Sequence, residues 1–367
     1  MDEAKVVIIG GGVVGCAVAM EVSKRTGDVF VLEQMPKVGM GASTRNSGVI
    51  HSGLYYTPGT LKARHCVAGN RLTYEFCAAH GVPHRRTGKL VVATSEKEER
   101  ELTDLVERGR SNGVEGIRIV DRGGIHAREP HVEGRAAIEV PTTGVVISEE
   151  LVKAYARVAT EQGAEIVTHA KVEALEPRHN SVVVRSSTGE VEARCVVNSA
   201  GLFADEVAAL AGSTGYRIHP VRGEYCEVVR GKSDLIQTLV YPMPHPEGLS
   251  LGVHFTKTMW GTVLVGPTAR YVEDKNDYER DLLPVEEFAR RAQTLVPEIQ
   301  AADLRLAYTG IRAKLVPPGG KGPADFVIER DPKHACIIHL VGIESPGLTA
   351  ASSIARQVAE MVEETLG

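Results

Sequence analysis

Apolar positions along the chain fall into two rhythms. Lys5 to Ile9 (KVVII) and Val29 to Leu32 are short β-branched runs without alternation, as expected of parallel strands covered on both faces. Between them, small and apolar residues from Cys16 to Met20 lead into a charged end, Glu21 to Arg25, with Gly27 as the stop signal of a helix. Ala164 to Val172, Arg194 to Asn198 and Ala335 to Leu340 predict further strands of this kind. Val182 to Arg185 and Val191 to Ala193 predict a hairpin turning at Thr188-Gly189. Helical spacing predicts helices at Leu61 to Ala79 before Gly81, at Glu96 to Gly109, at Glu149 to Gln162 and in the small-residue run after Gly347.

A second set of patterns interrupts the first. Gly88 to Thr94 predicts a strand that leaves the first domain, and Pro130 to Thr143 a return passage. Tyr225 to Val229 and Val263 to Gly266 have strand character, and Tyr278 to Leu295 contains helical stretches. Leu249 to Phe255 alternates: Leu249, Leu251, Val253 and Phe255 fall on one face, and Ser250, Gly252 and His254 on the other. The expectation is an α/β chain of two domains. A Rossmann-like domain comprises 1–87, 141–215 and 324–367; a mixed-sheet domain inserted into it comprises 88–140 and 216–323.

The first run carries the chemistry. Gly10, Gly12 and Gly15 form G-x-G-x-x-G between strand and helix, and Glu33 follows Gly12 by 21 positions at the end of the next strand. The first glycine permits a tight turn, the second lets a pyrophosphate approach the backbone, and the third lets helix and strand pack closely. Free amides at the helix start, around Val13 and Val14, suit phosphate. Glu33, with Gln34 beside it, suits ribose hydroxyls and would repel a 2′-phosphate, which disfavours NADP. The motif alone does not choose between NAD and FAD.

The next segment favours FAD. Instead of another strand and helix, the chain enters GASTRNSGVIHSGLYY, Gly41 to Tyr56. Ala42, Ser43, Thr44, Asn46 and Ser47 can run along a ribityl chain and pyrophosphate, with Arg45 toward phosphate or a negative flavin edge. His51 then lies near the reactive end.

Composition narrows the partners. The chain has 367 residues, 43% of them hydrophobic and 24% charged, with a formal charge of -5. That gives no basic field for a nucleic-acid backbone. Six cysteines form no CxxC pair, and His126, His131, Glu129 and Glu133 lack the spacing of a zinc helix. Buried free thiols and no metal are expected. The N-terminus lacks the layout of a signal peptide, and no apolar run is long enough to span a bilayer. A cytoplasmic protein is expected, with peripheral contact at the inner face of a membrane left open.

The chain resembles the FAD-dependent oxidoreductases of the D-amino-acid oxidase/glycerol-3-phosphate dehydrogenase superfamily, and within it L-2-hydroxyglutarate dehydrogenases and oxidases. The resemblance rests on GASTRNSGVIHSGLYY, LKARHCVAGNRLTYEFC, RTGKLVVAT, PTTGVVI, VVNSAG, PVRGEY, LGVHFT and YTGIRAK, and covers essentially the whole chain. It implies FAD, for which noncovalent binding is the default, with His51 and Cys66 conceivable points of covalent attachment. It also implies adenine at the backbone of Val172, a second pyrophosphate contact at Ala200 and Gly201, and closure of the cofactor site by Gly342, Gly347, Leu348 and Thr349. Arg312 matches the arginine that meets substrate carboxylates.

The implied reaction is oxidation of an L-2-hydroxy acid, with L-2-hydroxyglutarate leading, by hydride transfer to flavin N5. An arginine suits the carboxylate through paired hydrogen bonds. His51 and His254 compete as general base; each could equally be a structural histidine. Tyr56 and Tyr241 can donate to hydroxyl or carboxylate, or simply pack. Lys257 and Lys314 are candidates for a distal carboxylate. The acceptor is oxygen, a quinone or a carrier protein. An amine or amino-acid oxidase, a glycerol-3-phosphate oxidase, and a flavin-binding structural or sensor subunit are the alternatives.

Overall fold

A computed structural model describes residues 2–244, 251–320, 322 and 324–367. Strand Asp2–Ile9 lies at the centre of the first sheet, parallel to Val29–Leu32 on one side and Gly189–Asn198 on the other. Glu165–Val167 and Ile337–Val341 extend the parallel array outward. Alternate side chains of the central strand enter different cores. Val6 and Ile8 pack with helices Val13–Ser23, Ser148–Glu161 and Gly347–Leu366, whereas Val7 and Ile9 pack with the antiparallel pair Val172–Pro177 and Val182–Ser186. Covering on both faces explains the uninterrupted apolar run.

Among the described residues the second sheet has nine strands and mixed direction. Lys89–Ala93 runs parallel to Leu239–Pro242 and antiparallel to Ala136–Val140. His219–Val228 pairs along its length with Leu304–Lys314. The fold is a two-domain α/β architecture, with a Rossmann-like layer and a mixed sheet beside it.

Several local expectations need correction. The first helix spans Val13–Ser23, and Asp28 rather than Gly27 takes the left-handed backbone at φ 54°. The carbonyl of Asp28 accepts from the amides of Lys5 and Val6, which fixes that turn. The run 164–172 is two strands, because His169 at φ 58° turns the chain between them. The hairpin turns at Ser187-Thr188, since Gly189 already pairs with Ser186. Leu304–Lys314 is a long strand that apolar spacing did not announce, and within 278–295 only Val285–Ala292 is α-helical. Of the alternating run, 249 and 250 lie outside the described residues. Gly252 at φ 82° breaks the alternation, so Leu251 and Phe255 pack with different clusters and the strand is His254–Lys257. All six cysteines are buried and free. Among the described residues, no group of His, Cys, Asp or Glu is placed to hold a metal, and no helix is long and apolar enough to cross a membrane.

Candidate active site

A cavity of about 1390 Å³ runs from the C-terminal ends of the parallel strands to the face of the second sheet. Ligands of open α/β sheets bind at this edge. The close approach is built from glycine. A Cβ at Gly10 would lie 2.6 Å from the carbonyl oxygen of Ser199, and one at Gly15 would lie 1.9 Å from that of Gly10. At Gly12 a Cβ would meet Ser43 Oγ at 3.1 Å. That hydroxyl accepts the amide of Val13 at 2.8 Å and ties the following loop to the helix start. The first turn of this helix carries no acidic side chain that would oppose a phosphate.

Most residues expected at the cofactor line this cavity. They include Gly10, Gly12, Val13 and Val14, then Glu33 and Gln34. Ala42, Ser43, Arg45, Asn46 and Ser47 continue the wall, with Val172, Ala200, Gly201, Gly347 and Leu348 across from them. The Glu33 carboxylate accepts the amides of Gly11 at 2.7 Å and Met35 at 2.8 Å, so the ribose ligand expected from sequence is also a brace of the glycine turn. Asn46 is likewise a brace: its Nδ2 donates to the carbonyls of Ala42 and Ser43, and its Oδ1 accepts the amide of Gly48.

Four expected residues stand behind the wall. Gly15 packs against the Gly10 turn. Thr44 donates to the carbonyl of Gly39 at 2.9 Å. Gly342, at φ 70°, faces Leu315. Thr349 is buried, and its hydroxyl accepts the amide of His51 at 2.9 Å. They shape the site without facing the cavity. The length of the cavity and the glycine approach at the helix start fit an elongated dinucleotide.

At the second sheet, His51, Tyr56, Tyr241, His254, Arg312 and Lys314 converge on the cavity. His254 is buried, stacked on Tyr241 with ring centroids 3.7 Å apart, and its Nδ1 donates to the carbonyl of Gly252 at 2.8 Å. That bond leaves Nε2 of the neutral ring as an acceptor. Burial, then the cations of Arg312 and Lys89, bring its pKa down to about 3, against the pull of the Gly252 carbonyl. His51 is half-buried; desolvation, Lys89, His254 and Arg312 hold it well below the ordinary imidazole range. Its Nε2 lies 3.4 Å from Ser345 Oγ, and its Nδ1 has no partner among the described residues. Burial raises the Tyr56 and Tyr241 phenols, so both are protonated donors.

Lys257 does not join them. It projects from the other side of its strand and donates to the carbonyl of Ser233 at 2.6 Å. Its place is taken by a cluster that sequence reasoning missed. Glu344 Oε1 accepts from Lys62 Nζ at 2.9 Å and from Lys314 Nζ at 3.1 Å, and Arg312 stands 3.9 Å from the other oxygen. Burial opposes ionisation of Glu344, but Lys62, Lys314 and Arg312 outweigh it and hold the carboxyl below the usual range. Three cations against one carboxylate leave this end of the cavity positive. A lysine on the buried face of helix Leu61–His80 was the one sequence signal for Lys62.

Comparison with known proteins agrees with this geometry. The family of FAD dependent oxidoreductases (DAO) matches residues 5–361. An L-2-hydroxyglutarate dehydrogenase of Indibacter alkaliphilus is 33% identical over 97% of this chain and 98% of its own. Another, from Escherichia coli K12, is 32% identical over 98% of this chain and 93% of its own. Among solved structures, dithionite-reduced L-α-glycerophosphate oxidase from Mycoplasma pneumoniae with FAD bound superposes with a TM-score of 0.90 at 26% identity, covering 99% of this chain and 95% of that one. Glycine oxidase from Geobacillus kaustophilus shares the fold, with a TM-score of 0.83 at 22% identity over 99% and 95% of the two chains. The chain belongs to the FAD-dependent oxidoreductases of the D-amino-acid oxidase superfamily, and the dinucleotide its cavity accommodates is FAD.

Proposed function

We propose that the protein oxidises an L-2-hydroxy acid to the 2-oxo acid, with L-2-hydroxyglutarate as the leading substrate. The observation that carries the reading is the convergence of the Arg312, Lys62 and Lys314 cations with two uncharged imidazoles at one end of the cavity. Relatives that align along nearly the whole chain and bear the name L-2-hydroxyglutarate dehydrogenase support it.

Bound FAD supplies the two-electron acceptor for the substrate's α-carbon–hydrogen bond. The chain's residues do the rest. Arg312 pairs with the 1-carboxylate and orients the α-carbon. Nε2 of His254, freed by the bond from Nδ1 to Gly252, accepts the hydroxyl proton. His51 and Tyr56 hold the hydroxyl on its other side. Binding a carboxylate cancels the Arg312 cation, one of the charges that depress His254. The base therefore gains proton affinity when substrate is present. Lys62 and Lys314 receive the distal carboxylate. Val172, Ala200, Gly201 and the 42–47 loop hold the cofactor noncovalently, and Gly347 and Leu348 close its far side.

Anaerobic mixing of the holoprotein with hydroxy and amino acids tests the reading. L-2-Hydroxyglutarate should bleach the flavin rapidly. Bleaching by amino acids and by no hydroxy acid would overturn it. Repeating the turnover in air, and with a quinone, identifies the acceptor class.

A further inference from the structure

One charged group beneath the pocket has no task in this scheme. Lys89 opens strand Lys89–Ala93 on the face it shares with Val91 and Ala93, where an aliphatic side chain would complete an apolar cluster. Its side chain is fully buried, and Nζ has no hydrogen-bond partner among the described residues. Nζ sits instead 4.4 Å from the ring centroid of Tyr55 and 4.7 Å from that of Tyr241. Both rings line the cavity. Tyr241 in turn stacks on His254 with an interplanar angle of 17°. Lysine, tyrosine and histidine thus form a layered stack that ends at the cavity.

A cation held between aromatic faces, with no carboxylate among the described residues bonded to it, is costly to bury. We propose that Lys89 is a positioning residue whose ammonium, seated behind Tyr55 and Tyr241, imposes a positive potential that adds to burial in keeping the pocket imidazoles uncharged. The proposal rests on the reading of His254 as acceptor of the substrate's proton, with His51 beside the hydroxyl.

The groups around the stack are consistent with this role. Helix Leu61–His80 contributes Cys66, which burial keeps as a neutral thiol. Strand Leu239–Pro242 contributes Tyr241, and the 41–56 loop contributes His51 and Tyr55. Strand His254–Lys257 contributes His254, and Leu304–Lys314 contributes Arg312. Burial lowers Lys89 itself to about 7. A bound carboxylate neutralises Arg312, whereas Lys89 lies behind the rings and carries its charge below about pH 7, where protonation of the imidazoles would otherwise begin.

The test is nuclear magnetic resonance of holoprotein carrying carbon-13 at histidine Cε1, with signals assigned through His51→Gln and His254→Gln. In the unsubstituted protein both imidazoles should stay neutral from about pH 8 down to about pH 5, and the titration is followed below that, toward the His254 value of about 3. In Lys89→Met, similar in length but uncharged, at least one should titrate about one pH unit higher or more, a roughly tenfold gain in proton affinity. The acid limb of kcat/KM should move up with it, and Lys89→Arg should keep the original titration. Unchanged titration in Lys89→Met, or an equal shift in Lys89→Arg, would overturn the proposal. Lys89→Gln replaces a Met variant that does not fold; failure of both to form holoprotein also overturns it, since a structural role then suffices. Oxidation of amino acids instead of hydroxy acids would leave the titration readable, so the two readings fail separately.

Discussion

Gly310 touches Arg45 across the junction of the two sheets: a Cβ at position 310 would lie 2.0 Å from the Arg45 carbonyl oxygen. The Tyr308 hydroxyl, on the same strand, donates to the carbonyl of Asn46 at 2.8 Å. The 42–47 loop is thus seated directly on the strand that carries Arg312. Gly310→Ala should push the loop away, because backbone cannot yield as a flexible side chain can. Overpacking of this kind costs about 1–3 kcal/mol, or roughly 5- to 150-fold in FAD Kd if the cost falls on the bound form. Fluorescence titration of apoprotein with FAD measures it. Gly27→Ala, where a Cβ would meet nothing within 4 Å, is the control.

Arg312→Ala should retain FAD and lower kcat/KM for 2-hydroxy acids by about 10²–10³-fold, the cost of leaving a carboxylate without its partner. Steady-state kinetics with the flavin content measured alongside separates this from cofactor loss. Unchanged kinetics would remove Arg312 from the site.

His254→Gln should lower kcat by about 10²–10⁴-fold, as expected for loss of a general base. The base must be neutral to work, and its pKa is depressed to about 3. Activity should therefore persist as pH falls below the ordinary imidazole value and decline only on approach to the depressed one. An acid limb of kcat/KM centred near the ordinary imidazole value of about 6.5 would contradict His254 as the base.

Lys314→Met should raise KM for 2-hydroxyglutarate by about tenfold or more while changing KM for lactate little, since only the longer acid has a second carboxylate to lose a partner. The ratio of the two effects is the readout. Equal effects on both acids would place Lys314 outside the distal subsite.

The glycine turn and its flanking strands were legible because their signal is local: a spacing of three glycines, two β-branched runs and an acid. The fold class followed from the same runs. The strand Leu304–Lys314 was not legible, because exposed residues from Arg305 to Ala307 give way to buried ones without a period. Nor was the charge cluster. Glu344 reads as an ordinary acid before a Pro-Gly turn, and its partner Lys62 lies 282 residues away in sequence. Lys89 hid within GKLVVAT, where nothing nearby reveals that Tyr55 and Tyr241 will cover its ammonium. Lys257 was misplaced because strand alternation sends neighbours to opposite faces, and His254 already occupies the cavity side.

Strand Asp2–Ile9 and strand Ile337–Val341 both pair with Gly189–Asn198, and helix Gly347–Leu366 packs beside the helix that starts at Val13. During synthesis the first cofactor-binding turn therefore leaves the ribosome long before its last neighbours exist. Flavin insertion must wait until residues 337–366 have emerged, and a chain arrested before Ile337 should be released colourless.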